Sequence, residues 1–146
     1  VMSKTIKIAV VSGGFDPIHS GHIAYLKAAK QLGDILIVAL NSDEWLIKKK
    51  GKYFMPFLER KIIIENFSMV HEVLGFEDDD LGSACPALIK IKNKYPQDEI
   101  IFCNGGDRNN TNSPEQTLED IQHLFGVGGK DKKNSSSWIL KKYEES

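Results

Sequence analysis

The chain has too few cysteines for a disulfide framework: only Cys85 and Cys103 in 146 residues. Neither sits in a Cys-x-x-Cys pair, and the four histidines are scattered, so a zinc site has little support. The cysteines read as reduced thiols of a cytoplasmic protein. Long apolar runs are also lacking. No stretch approaches the length of a membrane span, and the first residues lack the layout of a signal peptide, so no membrane partner is expected. Charge of one sign is missing too: 19 Lys and Arg against 20 Asp and Glu leave a net charge of -1, where a general nucleic-acid binder would be basic. What is present is ordinary for a globular domain, with 41% hydrophobic and 27% charged residues. The length suits one domain over 1–146 with a real core, residues 1–4 forming a flexible tail.

The most informative stretch runs from Val10 to Ile23. Ile6-Lys7-Ile8-Ala9-Val10-Val11 is β-branched and apolar and reads as a buried parallel strand. Ile23 to Leu32 has helical spacing of apolar residues, with Gly33 as its stop. Between them lie Gly13, Gly14 and Gly21, with His19 and His22 around the last. Gly13 and Gly14 carry no Cβ, so a phosphate could reach their backbone amides. A helix start adds free donors and partial positive charge. Histidines three apart share a helical face, where they could hold one anion and, if protonated, neutralise charge. The plain reading is a turn with two solvated or core histidines; their placement around a glycine after a strand–Gly-Gly turn favours the phosphate site.

Gly-Gly-Phe-Asp-Pro-Ile-His-Ser-Gly-His (13–22) resembles the signature of the cytidylyltransferase-like nucleotidylyltransferases, Gly-x-Phe-Asp-x-x-His-x-Gly-His. The resemblance implies a Rossmann-like, doubly wound α/β fold with a mainly parallel five-stranded sheet. It also implies transfer of a nucleotidyl group from a nucleoside triphosphate to a phosphorylated small molecule, releasing pyrophosphate. Phe15 and Asp16 enter the nucleotide-binding set with Gly13, Gly14 and His22 on the same ground. Mg²⁺ is expected with the triphosphate, held mostly by phosphate and water. Pairing into a homodimer is typical of the family.

Later segments extend the resemblance. Asp34 to Leu40 is a second strand, completing a right-handed βαβ unit. The lysine run 48–52 would elsewhere be a solvated face, but here it follows the ligand edge of the sheet. Alignment on Asp43-Glu44 and Arg60 puts Lys49 in a family lysine position, with Lys50 or Lys52 as substitutes for a second. Met55 to Phe67 reads as a helix with Leu58, Ile62 or Ile63, and Phe67 inward. Arg60 on it is either a surface ion pair or, as in related enzymes, a phosphate fork. Met69 to Phe76 is a strand region. The acidic run 77–80 reads as solvated rather than metal-binding. Cys85 to Tyr95 is a helix and Glu99 to Cys103 a strand. That strand runs into Gly105-Gly106-Asp107-Arg108, a turn that in the family contacts the nucleotide, although glycine and asparagine also suit a plain loop. Ser113-Pro114-Glu115-Gln116 reads as a capping box opening a helix through Phe125, followed by a short strand or extended link at 126–129. Ser135-Ser136-Ser137 resembles the family's late Ser/Thr motif at a helix start, which binds phosphate and caps the helix. Lys130, with Lys132 and Lys133, stands where the family often has an arginine.

The expected reaction is in-line attack of an acceptor phosphate on the α-phosphorus of the triphosphate. His19 and His22 bear on the triphosphate, while Lys49, Arg60 and Lys130 hold substrate phosphates. The small size resembles glycerol-3-phosphate cytidylyltransferases and leans the reading to CTP and glycerol 3-phosphate. The run from Asn41 to Gly51, Met55-Pro56-Phe57 and the Gly-Gly-Asp turn are similar to adenylyltransferase domains that activate heptose 1-phosphate. The sequence also admits a nucleotide-binding module without turnover. A fragment of an aminoacyl-tRNA synthetase would share the histidine chemistry but is disfavoured by the lack of a tRNA-binding extension.

Overall fold

The computed structural model describes residues 5–105 and 114–128. Five strands form one sheet: β1 (Lys7–Gly13), β2 (Ile35–Leu40), β3 (Glu72–Gly75), β4 (Glu99–Cys103) and β5 (Gln122–Leu124). Their order is β3-β2-β1-β4-β5, and every pairing is parallel. Four α-helices connect them: α1 (Ser20–Lys30), α2 (Asp43–Lys50), α3 (Phe57–Glu65) and α4 (Cys85–Lys94). The doubly wound α/β expectation holds, with the sheet wholly parallel among the described strands.

The central strand is apolar from Ile8 to Val11, where both of its faces are covered. Ala9 and Val11 pack with Leu26 and Ala29 of α1 and Ile64 of α3; Ile8 and Val10 pack with Ala87, Leu88 and Ile91 of α4. The chain leaves β1 toward β2 and β3 on one side and returns to β4 and β5 on the other. The loops at the carboxyl ends of β1 and β4 therefore diverge, and such a switch point leaves a crevice for a ligand.

Four local readings change. The lysine run is not loop but the last turn of α2, whose N-cap Ser42 accepts from the Trp45 amide and whose C-cap Gly51 sits at φ 86°. Lysines there complement the helix dipole. On α3 the inward face is Arg60 and Ile64, while Leu58 and Ile62 are exposed at 66% and 47%. The helix is turned by what Arg60 binds, described below, so hydrophobic spacing alone misjudges its face. The expected helix through Phe125 is only a 3₁₀ turn, Pro114–Thr117. Gln122, His123 and Leu124 instead pair with Ile101, Phe102 and Cys103. The open edge of β4 offers backbone partners that a short helix would forgo. The chain then turns at Gly126 and Gly128, both at positive φ, where a strand or extended link was expected.

Candidate functional site

The β1–α1 turn is built around its histidines. His19 is the N-cap of α1, and its Nδ1 accepts from the Gly21 amide at 3.0 Å. His22 answers it, with Nδ1 accepting from the His19 amide at 3.3 Å. The Gly21 and His22 amides are thus already engaged, the latter on the His19 carbonyl. The donors left for an anion are the imidazoles themselves: with both Nδ1 atoms accepting, each neutral ring carries its proton on Nε2. The rings stack at 3.8 Å between centroids, 25° apart, and the Phe15 ring meets His22 edge-on at 4.8 Å.

Burial, then the His19 charge and Lys50, push the His22 pKa down to about 3 from 6.5. Burial and Lys50 lower that of His19 as well. Before ligand binds, the pair therefore acts as neutral donors at pH 7 rather than as imidazolium. A histidine with a depressed folded pKa contributes stability that is fully present above 6.5 and is lost as the pH falls toward 3. Thermal stability should accordingly drop between pH 6.5 and 5, where ordinary carboxylates scarcely titrate. In His22→Asn, whose Oδ1 can stand where Nδ1 stood, that drop should shrink; an unchanged pH slope in melting experiments would refute the assignment.

Phe15, Asp16 and Arg60 frame the turn. Phe15, at φ 50°, is buried and lays its ring against Gly13. Asp16 is 2% exposed, and its carboxylate accepts from the Phe54 and Met55 amides at 2.6 Å each. Its carbonyl accepts from Lys50 Nζ at 3.0 Å. Arg60, expected to face substrate phosphates, is instead 1% exposed and engaged all round. Nε donates to the Met55 carbonyl at 2.9 Å, NH1 to the Gly14 and Asn41 carbonyls at 2.8 Å each, and NH2 to the Asp43 carboxylate at 2.6 Å. One guanidinium thus ties together the β1–α1 turn, the β2–α2 junction and the segment before α3. Gly14 is explained by the same packing, since a Cβ there would lie 2.7 Å from Leu46 Cδ2.

At the carboxyl end of β1 lies a cavity of about 160 Å³. Its floor is the carboxyl edge of the sheet: Ser12 and Gly13, Asn41, Asn104 and Gly105. Its walls come from Trp45 and Lys49 of α2, Gly82 and Ala84 before α4, Tyr25 and Glu115. The Trp45 indole N–H donates to the Gly82 carbonyl at 3.0 Å, and Lys49 Nζ lies 4.6 Å from the Trp45 ring centre. Tyr25 donates its hydroxyl hydrogen to the Cys103 carbonyl. Glu115 is 1% exposed and accepts from the Ala84 amide at 3.2 Å.

The structure thus brings Gly13, Gly105 and Lys49 to one cavity, pairs His19 with His22 at the start of α1, and withdraws Arg60, Phe15 and Asp16 into the frame. Asp107, Arg108, Lys130, Ser135, Ser136 and Ser137 lie outside the described residues. The acidic run is not simply solvated: Asp78 accepts from the Ser42 hydroxyl at 2.8 Å, and Asp79 from the Ser83 amide at 2.7 Å and from its hydroxyl. Sequence reasoning missed Trp45, Asn41, Asn104 and Glu115. The asparagines had a signal, each being the first residue after an apolar strand on the ligand edge. Glu115 had none, since its position suggested only a helix cap. Cys103 is buried, which raises its thiol pKa to about 11, and Cys85 is half-buried with Sγ near the Pro114 carbonyl.

The parallel five-stranded fold and the paired-histidine turn fit the class that the signature at 13–22 resembles. The Cytidylyltransferase-like family model matches residues 10–145, so the chain belongs to that family. It is similar to the "Bifunctional protein HldE" of Erwinia tasmaniensis, 35% identical over 112 residues, which cover 69% of this chain and 23% of that protein. The chain therefore corresponds to about a quarter of the length of such relatives. Among solved structures, the fold is shared with the lipopolysaccharide core biosynthesis protein from Thermoplasma volcanium (TM-score 0.62, 24% identity, covering 84% of this chain and 96% of that one). It is shared equally with a putative nicotinate-nucleotide adenylyltransferase from Vibrio parahaemolyticus (TM-score 0.63, 18% identity, covering 95% and 87%). Among the described residues no helix is long and apolar enough to cross a membrane.

Proposed function

We propose that the protein transfers an adenylyl group from ATP to a sugar 1-phosphate such as heptose 1-phosphate. An acceptor phosphate oxygen attacks the α-phosphorus, the bond from that phosphorus to the bridging oxygen breaks, and pyrophosphate leaves. The observation that carries this reading is the similarity to HldE proteins over 112 residues. It agrees with the resemblance of the Asn41–Gly51 run and the Gly-Gly-Asp turn to heptose-activating adenylyltransferase domains. The lean toward CTP and glycerol 3-phosphate rests on size and family name alone, and the HldE relatives outweigh it.

The chain's own residues position and neutralise. His19 and His22 offer side-by-side Nε2–H donors to the triphosphate, Lys49 faces the acceptor phosphate, and Arg60 holds the turn that aims the histidines. The described residues contain no group of three or more His, Cys, Asp or Glu placed for a metal. Mg²⁺, if bound with the triphosphate, would supply charge neutralisation for the transferring group. Asp107, Arg108 and Ser135 to Ser137 complete the nucleotide side, Lys130 the phosphate side, and a homodimer the assembly.

The test is pyrophosphate release from each of the four nucleoside triphosphates against heptose 1-phosphate, other sugar 1-phosphates and glycerol 3-phosphate. Turnover with ATP and a sugar 1-phosphate is expected. Turnover only with CTP and glycerol 3-phosphate would restore the other reading, and nucleotide binding without any turnover would make the chain a binding module.

A further inference from the structure

Trp45 does more than wall the cavity at the carboxyl end of β1. A second cavity, of about 390 Å³, is lined by Trp45, Lys48 and Lys49 of α2 and by the stretch 78–82. The two cavities share Trp45, Lys49 and Gly82. The second falls within the roughly 300–1,000 Å³ of small-molecule sites, whereas 160 Å³ does not. The indole between them is held on two sides. Its N–H donates to the Gly82 carbonyl at 3.0 Å, and a Cβ on Gly14 would lie 3.3 Å from its Cζ3. The facing stretch is fastened too, with Asp78 accepting from the Ser42 hydroxyl and Asp79 from the Ser83 amide. A fixed indole that borders both cavities is a preformed surface for a ligand.

What stands beside the ring narrows the ligand. Lys49 Nζ lies 4.6 Å from the ring centre, and Lys48 lines the second cavity. Positive charge next to an aromatic surface suits a ligand whose own ring is joined directly to a phosphate. A sugar 1-phosphate has that layout. In a nucleoside triphosphate a ribose separates the base from the phosphates, and glycerol 3-phosphate has no ring. The C–H face of a sugar ring packs on the electron-rich surface of an indole and leaves its hydroxyls to the polar rim.

We propose that Trp45 is the platform for the sugar ring of the acceptor and so selects cyclic sugar phosphates over acyclic phosphate esters. The proposal rests on the nucleotidyl-transfer reading for what it calls the acceptor. The competing role is structural, because the indole also braces Gly14 and Gly82. Two substitutions separate the roles. Trp45→Phe keeps an aromatic face and loses the hydrogen bond to Gly82, whereas Trp45→Leu keeps apolar bulk and loses both.

The experiment measures binding of heptose 1-phosphate, glycerol 3-phosphate and ATP, each alone, to the full chain and both variants by calorimetry, with melting temperature as control. In Trp45→Leu the Kd for heptose 1-phosphate should rise about tenfold or more, that for glycerol 3-phosphate about threefold or less, and that for ATP less than about twofold. In Trp45→Phe the rise for heptose 1-phosphate should stay within about threefold. Equal losses for all three ligands, or none, would reduce Trp45 to a brace and overturn the proposal. So would a phenylalanine variant as weak as the leucine one, which would assign the effect to the Gly82 hydrogen bond. A loss confined to ATP would put the base on the indole, and failure of the parent chain to bind heptose 1-phosphate would likewise overturn the proposal. Should Trp45→Leu not fold, Trp45 emission in a Trp138→Phe background decides: heptose 1-phosphate should change it and glycerol 3-phosphate should not, and equal responses overturn the platform. If heptose 1-phosphate binds through Trp45 yet no pyrophosphate forms with any triphosphate, the platform stands and the transfer reading falls. If pyrophosphate forms with heptose 1-phosphate and the leucine variant binds it like the parent, the transfer reading stands and the platform falls.

Discussion

Replacing Arg60 with methionine should lower the unfolding free energy by about 3–5 kcal/mol, among the largest losses a single substitution could cause here. The guanidinium is 1% exposed and donates to three carbonyls and the Asp43 carboxylate. Methionine fills much of the volume but leaves those acceptors buried and unmatched, each at a cost of roughly 1 kcal/mol or more. Asp43 is the least affected, since its side chain remains 26% exposed and can take water. In a chain of this size the loss corresponds to a fall in melting temperature of about 6–20 °C. Arg60→Lys should recover only part of it, because a single ammonium cannot reach acceptors spread over three chain segments. Differential scanning calorimetry decides the matter. A methionine variant that melts with the parent but fails to bind ATP would return Arg60 to the phosphate-binding role that its sequence position suggests.

Removing the His22 Nε2–H should be the most damaging change to catalysis. His22→Asn can keep an acceptor for the His19 amide, so the α1 cap survives, yet nothing then occupies the place of Nε2. A preorganised donor aimed at developing charge is worth about 10²–10³ in rate, and pyrophosphate release should fall by that order. ATP binding should weaken less than turnover slows, since the donor counts most in the transition state. His22→Ala should be as slow and less stable, having lost the reciprocal cap. Equal rates for His22→Asn and the parent in steady-state assays would show that the pair is only a helix cap. Because both imidazoles are neutral before binding, kcat/KM should not decline from pH 7 to pH 8.5 through loss of an imidazolium proton. A decline with an apparent pKa near 6.5 would mean that the charged form is the active one.

Much of this was readable from residue order. Apolar runs set the strands, because a parallel sheet covered on both faces needs continuous hydrophobic segments, and Lys7–Gly13, Ile35–Leu40 and Glu99–Cys103 all meet that need. The Gly13–His22 run marked the turn, the histidine pair and the family, since that density of special residues has few other uses. Chain order could not say which way a helix faces or what a buried polar group touches. Leu58 and Ile62 looked inward until the acceptors of Arg60, contributed by residues 14, 41, 43 and 55, rotated α3. Glu115 looked like the start of a helix until the free edge of β4 claimed Gln122–Leu124 and left its carboxylate in the cavity wall. Local pattern and the motif determined the elements and the class of chemistry, because both depend on neighbours in the chain. The burial of Arg60 and Glu115 was decided by tertiary structure alone, because their hydrogen-bond partners are distant in sequence.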